Sequence, residues 1–181
     1  MNFCSNCGSK TEKKIPPDDN RIRDCCDNCN SIFYSNPKII VGTIPVKDKE
    51  VLLCKRAIEP RYGLWTIPAG FLENGETVEE GSFRETKEET GTEVKMANLY
   101  TIFNIPQINQ VYMIYLAYLV KNDFGPTTES LEVKLFQERE IPWDQLAFPF
   151  VPSILKKFFQ DIEEGNDFPL SISKIERPNK N

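Results

Sequence analysis

Residues 70–92 read GFLENGETVEEGSFRETKEETGT, and they gather more acid than a solvated helix needs. Eight glutamates lie between Glu73 and Glu93 against only Arg84 and Lys87, whereas the whole chain of 181 residues, with 22 basic and 27 acidic side chains, carries a net charge of −5. The remainder of the chain is therefore close to neutral. Thr77 followed three residues later by Glu80 reads as a capping box and Gly91 as a C-terminal stop, which predicts a helix from Val78 to Thr90. At ~100° per residue, Glu88 and Glu89 fall at roughly −60° and +40° from Glu85, so three carboxylates share one face. Such neighbours cost about 0.2–0.5 kcal/mol per like-charged pair in an isolated helix, with only the Arg84 to Glu88 spacing to offset them. A hard cation turns that cost into a site. Carboxylates alone suit Mg²⁺ or Mn²⁺, which keep several waters and bridge to substrate phosphates. A charged surface helix is the plain alternative, and the order of the residues argues against it.

That order is Gly70, five residues, Glu76, seven residues, then Arg84-Glu85-Thr86-Lys87-Glu88-Glu89-Thr90-Gly91-Thr92. It resembles the Nudix box, Gly-x5-Glu-x7-Arg-Glu-U-x-Glu-Glu-x-Gly-U with U aliphatic, at every charged and glycine position. Both U positions are threonine here, a departure that touches packing more than metal chemistry.

The chain contains no histidine. Histidine-based triads, HExxH metalloprotease sites and His-ligated zinc are excluded. A general base must be a carboxylate, a lysine, a tyrosine or metal-bound hydroxide. The longest apolar run, near Val111 to Val120, is too short for a membrane span, and MNFCSNCGSK lacks the hydrophobic core of a signal peptide, so a cytoplasmic protein with no membrane partner is expected. A pI near 5.0 argues against strong nucleic-acid binding.

Five of the six cysteines lie in the first 29 residues, and Cys4-x2-Cys7 and Cys26-x2-Cys29 are separated by eighteen residues. Two such knuckles predict a four-thiolate structural Zn²⁺ ribbon over 1–35, closed and therefore not catalytic. Disulfides are the competing reading, disfavoured by a cytosolic setting. Cys25 reads as a spare thiol and as the competitor if the register is off by one; Cys54 reads as a small core residue. The basic residues of this module are balanced by acids, so a platform for the catalytic domain or for a homodimer partner is the expected role.

After Asn36-Pro37 short apolar runs alternate with turns. Ile39–Val46, Val51–Lys55, Leu64–Ile67, Tyr100–Phe103, Gln110–Val120 and Leu131–Phe136 read as strands, the fifth covered on both faces, and Ile154 to Ile162 as a helix on the sheet. The domain is placed at 36–165, with a loosely held tail over 166–181.

CSNCG, NPKIIVG, VLLCKRAI, GLWTIPAGF, QVYMIYLA and ESLEVKLF followed by EIPWDQLAF together resemble zinc-ribbon Nudix enzymes related to plant chloroplast FAD and ADP-ribose pyrophosphatases and bacterial counterparts. The resemblance implies an α/β fold, a Nudix α/β/α sandwich with a mixed β-sheet, preceded by the zinc ribbon. NADH pyrophosphatase is similar more distantly: its Ser-Gln-Pro-Trp array is missing, and NIPQINQVY, with Pro106 fifteen residues after Gly91, stands in its place. The resemblance further implies that Glu85 and Glu89 ligate Mg²⁺ or Mn²⁺, that Glu88 ligates a second metal or orients water, and that Arg84 and Glu76 brace the loop and helix. It recruits one more carboxylate, Glu129, with Glu132 as the alternative. Arg56 and Arg61 are candidates for the second phosphate, while Phe103, Tyr112 and Tyr115 are aromatic residues that serve either the core or a base. The expected activity is metal-dependent cleavage of P–O–P bonds in nucleoside diphosphate derivatives, ADP-ribose and FAD first. NADH pyrophosphatase or NAD-RNA decapping activity, or a non-catalytic nucleotide or nucleic-acid binding regulator, are the alternatives.

Overall fold

The computed structural model describes residues 1–165 and 167–175. It divides into two compact units, Met1–Pro37 and the chain from Lys38 onward. The first unit is a three-stranded antiparallel sheet of β1 (Glu12–Lys14), β2 (Arg23–Cys25) and β3 (Ile32–Phe33), in the order β1-β2-β3. Strands this short bury little apolar area, and Cys4, Cys25 and Cys26 are the only hydrophobic residues buried in it.

The second unit is built on an eight-stranded mixed sheet. Its strands are β4 (Lys38–Lys47), β5 (Glu50–Arg56), β6 (Trp65–Thr66), β7 (Ala69–Phe71), β8 (Val94–Ile105), β9 (Gln110–Leu119), β10 (Ser130–Phe136) and β11 (Ser171–Lys174). The order is β10-β5-β4-β9-β8-β11, with β6 beside β5 and β7 beside β4; the β4–β9 and β8–β11 pairs are parallel. Two helices complete it, α1 (Val78–Thr90) and α2 (Phe150–Glu164).

Side-chain alternation along the strands assigns each helix its face. Ile40, Ile44 and Val46 of β4, Val51 and Leu53 of β5, and Tyr112, Ile114 and Leu116 of β9 join one cluster with Phe150, Ile154, Leu155, Phe158 and Phe159 of α2. Val41 and Thr43 of β4, with Leu52, Cys54, Tyr115 and Ala117, are buried but outside that cluster. These odd-parity positions of β4 face α1: Thr43 and Thr86 hydroxyls meet at 2.7 Å. The sheet is thus covered on both sides, as expected for the central strand β9.

The helix α1 runs over the predicted residues. Thr77 accepts from the Glu80 N–H, the Glu80 carboxylate accepts from the Thr77 N–H, and Gly91 closes the helix at φ 75°. The hydroxyls at the two unusual threonines are satisfied internally. Thr86 donates to Ser82 O at 2.7 Å and accepts from Thr43, and Thr92 donates to Asp123 at 2.6 Å.

Three elements differ from the sequence reading. Strand β8 is twelve residues long where four were expected, because its register shifts twice between Met96 and Thr101 and breaks the alternation. Helix α2 starts at Phe150, ahead of Pro152, which sits in the first turn where no N–H partner is required. The chain after Leu170, expected to be loose, forms β11 and pairs in parallel with Thr101–Asn104, and the Ser171 hydroxyl donates to Thr101 Oγ1 at 3.0 Å. Residues 166 and 176–181 of that predicted tail lie outside the described residues. Among the described residues no helix is long and apolar enough to cross a membrane.

Candidate active site

Strand β4 changes partner along its length: Ile40–Gly42 pairs with β7, whereas Val46 and Lys47 pair with β5. Where β5 and β7 part, a cleft of about 580 Å³ opens. Its walls include Arg56 from the end of β5, Thr66 from β6, Ala69, Gly70 and Phe71 from β7, Glu85 and Glu89 from α1, and Glu129 ahead of β10. Ile108, Gln110, Tyr112, Phe148 and Phe150 line it as well.

Arg84 ties the loop before α1 to the helix. It grips both oxygens of Glu76 at 2.7 and 3.0 Å, reaches Glu85 at 2.7 Å and Glu88 at 3.0 Å, and donates to Phe71 O at 3.1 Å. Its hydrogen bonds hold the Glu76 carboxyl down at about 2. Gly70 is required by close approach: a Cβ there would stand 2.3 Å from Glu85 Oε2.

The three glutamates expected on one face are split. Glu85 and Glu89 are buried and line the cleft, while Glu88 is exposed, paired with Arg84, and does not line it. Glu89 Oε2 accepts from the Ala69 N–H at 2.9 Å and from the Cys54 thiol at 3.7 Å. Burial pushes Glu89 up to about 8, with the Glu85 and Glu129 charges adding to the shift and the Ala69 hydrogen bond and Arg56 opposing it. Burial also raises Glu85.

The other candidates separate cleanly. Glu129 lies in the cleft because its carbonyl accepts from the Ala57 N–H at 2.8 Å, whereas Glu132 pairs with Lys55 at 2.6 Å. Arg56 is buried and lines the cleft, whereas Arg61 is exposed on a turn at φ 73° and does not. Phe103 and Tyr115 are buried core residues, and Tyr112 alone of the three aromatic candidates reaches the cleft. Phe71, Phe148 and Phe150 were missed; the signal available was the aromatic density of AFPF at 147–150, outside any periodic pattern.

The four cysteines Cys4, Cys7, Cys26 and Cys29 converge, their sulfurs all within 4.8 Å of one another. The Cys4–Cys29 and Cys7–Cys26 separations are both 3.5 Å, too long for disulfides and close to the roughly 3.8 Å edge of a tetrahedron with ~2.3 Å Zn–S bonds. Donors surround the sulfurs: Asn6 N–H to Cys4 at 3.4 Å and Asn28 Nδ2 to Cys7 at 3.6 Å. Ser9, with Asn28, brings the Cys7 thiol down to about 5, which favours the thiolate a metal requires. Cys25 points elsewhere, 4.0 Å from Lys14 O.

Among the described residues this is the one group of three or more such ligands that converges; the cleft carboxylates do not form a closed cage. That openness suits a hard divalent cation, held by one or two carboxylates, waters and substrate phosphates. Buried Glu89 and Glu85, with Glu129 beside them, supply charge that Arg84 at Glu85 and Arg56 near Glu89 only partly offset, so the donor set fits such an ion.

A pattern of the NUDIX domain matches residues 36–161. The chain belongs to the NUDIX hydrolase family. The zinc-ribbon pattern described as Nudix N-terminal matches residues 2–35. A NUDIX hydrolase crystal structure from Nitrosomonas europaea is 46% identical, with a TM-score of 0.93 over 97% of this chain and 99% of that one. An ADP-ribose pyrophosphatase of Methanocaldococcus jannaschii is 43% identical over 74 residues, 41% of this chain and 44% of its own length. The NAD-capped RNA hydrolase NudC of Vibrio vulnificus is 36% identical over 96 residues, 52% of this chain and 34% of that protein. The matched stretch thus spans less than half the length of these curated relatives.

Two outcomes are expected. The folded Glu89 carboxyl at about 8 lies above its usual 4.5, so its contribution favours the fold below pH 4.5 and is lost as pH rises through 8. In Mg²⁺-free buffer, thermal melts should show Glu89→Gln gaining on wild type between pH 4.5 and 8 and exceeding it at pH 9; parallel profiles would contradict the burial argument. Metal analysis should give about one zinc per chain, lost in Cys26→Ser and kept in Cys25→Ser.

Proposed function

We propose that the protein is a Mg²⁺- or Mn²⁺-dependent pyrophosphatase that cleaves P–O–P bonds in nucleoside diphosphate derivatives, ADP-ribose and FAD first and NADH next. The observation that carries this reading is that a single cleft holds buried carboxylates, a nearly buried arginine and an aromatic wall. Its volume of about 580 Å³ suits a dinucleotide-sized ligand. The segment NIPQINQVY contributes Ile108, Gln110 and Tyr112 to that wall, which favours the ADP-ribose and FAD reading over that of NADH pyrophosphatase.

Glu85 and Glu89 would hold the cation, with Glu129 completing the acidic rim. A divalent ion held there would neutralise the phosphates and favour attack by water on phosphorus. Around it, Arg84 holds Glu85 in place, and the Ala69 N–H fixes Glu89 against rotation. Arg56 receives the phosphate that does not react. With no histidine available, a carboxylate of the cleft or its rim takes the proton shed by the attacking water. Glu88, outside the cleft wall, acts from that rim.

A substrate panel with product masses tests the activity. AMP plus ribose 5-phosphate from ADP-ribose, or AMP plus FMN from FAD, supports it, and NADH and NAD-capped RNA serve as competing arms. Absence of turnover with every substrate and either metal, together with tight nucleic-acid binding, would favour the non-catalytic regulator.

Charge-removing isosteres test the site. Glu85→Gln and Glu89→Gln should each lower kcat/KM by roughly 10²-fold or more, about 2.7 kcal/mol of transition-state stabilisation, with the fold intact. Glu79→Gln, on the same helix and outside the cleft wall, should change little; equal losses from all three would assign the effect to bulk charge.

A further inference from the structure

Arg56 is only 8% exposed, yet one of its hydrogen bonds to protein is made, from Nε to Pro60 O at 2.9 Å. Its two terminal nitrogens have no acceptor among the described residues and neither is sealed from solvent. Their N–H groups therefore open into the cleft, a fork that matches two oxygens of a phosphate. The backbone under this fork is fixed: Arg56 N–H donates to Leu64 O at 2.9 Å, and Gly63 N–H to Arg56 O at 2.9 Å. The guanidinium, close enough to Glu89 to stabilise its charge, also meets an aromatic ring. Its central carbon stands 5.3 Å from the ring centroid of Phe148.

Phe148 lies between regular elements, in a stretch whose sequence gives no reason for a fixed side chain. Its ring is nonetheless anchored. It stacks on Phe150 with centroids 5.9 Å apart and planes 9° from parallel. Phe150 is 2% exposed and packs at 4.5 Å on Tyr112 and 5.8 Å on Phe103, so the stack is rooted in the core beneath α2. The arginine is thus held at one edge by a carbonyl and has an anchored aromatic ring within cation–π reach of its central carbon.

We infer that Phe148 is a positioning residue for diphosphate recognition: its ring holds the Arg56 guanidinium in the plane and place that receive the second phosphate. An arginine free to sample rotamers would lose that freedom on binding, whereas one stacked on a rigid ring has already lost it. A cation–π contact of a largely desolvated guanidinium is strong enough to matter at the level of affinity. This inference rests on the reading of the cleft as a diphosphate site. It makes the contribution of Phe148 independent of what the diphosphate is attached to, because the ring acts through Arg56 and not on the base.

Calorimetric binding of two probes, ADP and ring-free inorganic pyrophosphate, to the zinc-loaded full chain separates the cases. Phe148→Leu and Phe148→Met should weaken both probes by about tenfold, the scale of a buried cation–π contact. Phe148→Tyr and Phe148→Trp should restore binding to within about twofold, because they keep the aromatic face. In an Arg56→Gln background, Phe148→Leu should add little further loss. In turnover of ADP-ribose and FAD, the same variants should raise KM for both alike and leave kcat nearly unchanged. Loss of ADP affinity with pyrophosphate unaffected, or an undiminished loss in the Arg56→Gln background, would mean that Phe148 contacts the base and would overturn the inference. So would unchanged affinity in every Phe148 variant. Wild-type protein that binds neither probe would overturn both this inference and the diphosphate reading of the cleft, whereas binding that ignores Phe148 overturns only the former. Thermal melts of each variant identify any that fail to fold, and the aromatic replacements then carry the comparison.

Discussion

The guanidinium of Arg84 is the constraint on which the cleft depends. The segment between Phe71 and Thr77 has no regular structure of its own, and Arg84 reaches both its ends, taking the Phe71 carbonyl and the two oxygens of Glu76. The same group meets Glu85 and Glu88, so one cation both folds the loop onto α1 and relieves the crowding of carboxylates along it. A planar, five-donor group can do this and a lysine cannot, because the contacts diverge in one plane. The position of Glu85 in the cleft follows from that grip, and Glu88 is held on the exposed side of the same guanidinium.

The two units solve their charge problems in opposite ways. The N-terminal unit brings four sulfurs together and gives them hydrogen-bond donors, a closed arrangement in which a soft cation would replace a hydrophobic core too small to hold the strands. The cleft leaves its carboxylates partly uncompensated. Glu89 is buried with a single backbone donor and a weak thiol donor, a costly state for an anion unless a cation and a phosphate arrive together. The first arrangement favours permanence and the second favours exchange.

What the sequence shows plainly is what local chemistry determines. The bounds of α1 follow from Thr77, Glu80 and Gly91, and the cysteine cluster from two short spacings, because each involves neighbours within a few residues. The choice between Glu129 and Glu132 was harder. It depends on the pairing of β10 with β5, which sends Glu132 to Lys55 and leaves Glu129 at the mouth of the cleft. Arg56 and Arg61 are likewise similar in sequence and differ in backbone: one ends a strand, the other sits on a turn in the left-handed region. Phe148 carried no periodic signal, because a loop residue acquires its role from what it packs on. The extent of β8 and the pairing of β11 were hidden for related reasons, bulges in one case and a partner some seventy residues away in the other.

The absence of a side chain at Gly70 has a consequence for how this surface can change. Because the Glu85 carboxylate occupies the space that a Cβ would take, position 70 couples backbone and acid group as interlocking halves of one shape. Any replacement must shift the Glu85 carboxylate, which Arg84 holds at 2.7 Å, or the backbone paired to β4. Variation that retunes which molecules enter has more room at Ile108 and Gln110, which line the cleft without being buried in the core. The cleft has a fixed jaw and an adjustable one, and a lineage or a designer seeking a new ligand would find its freedom on the second.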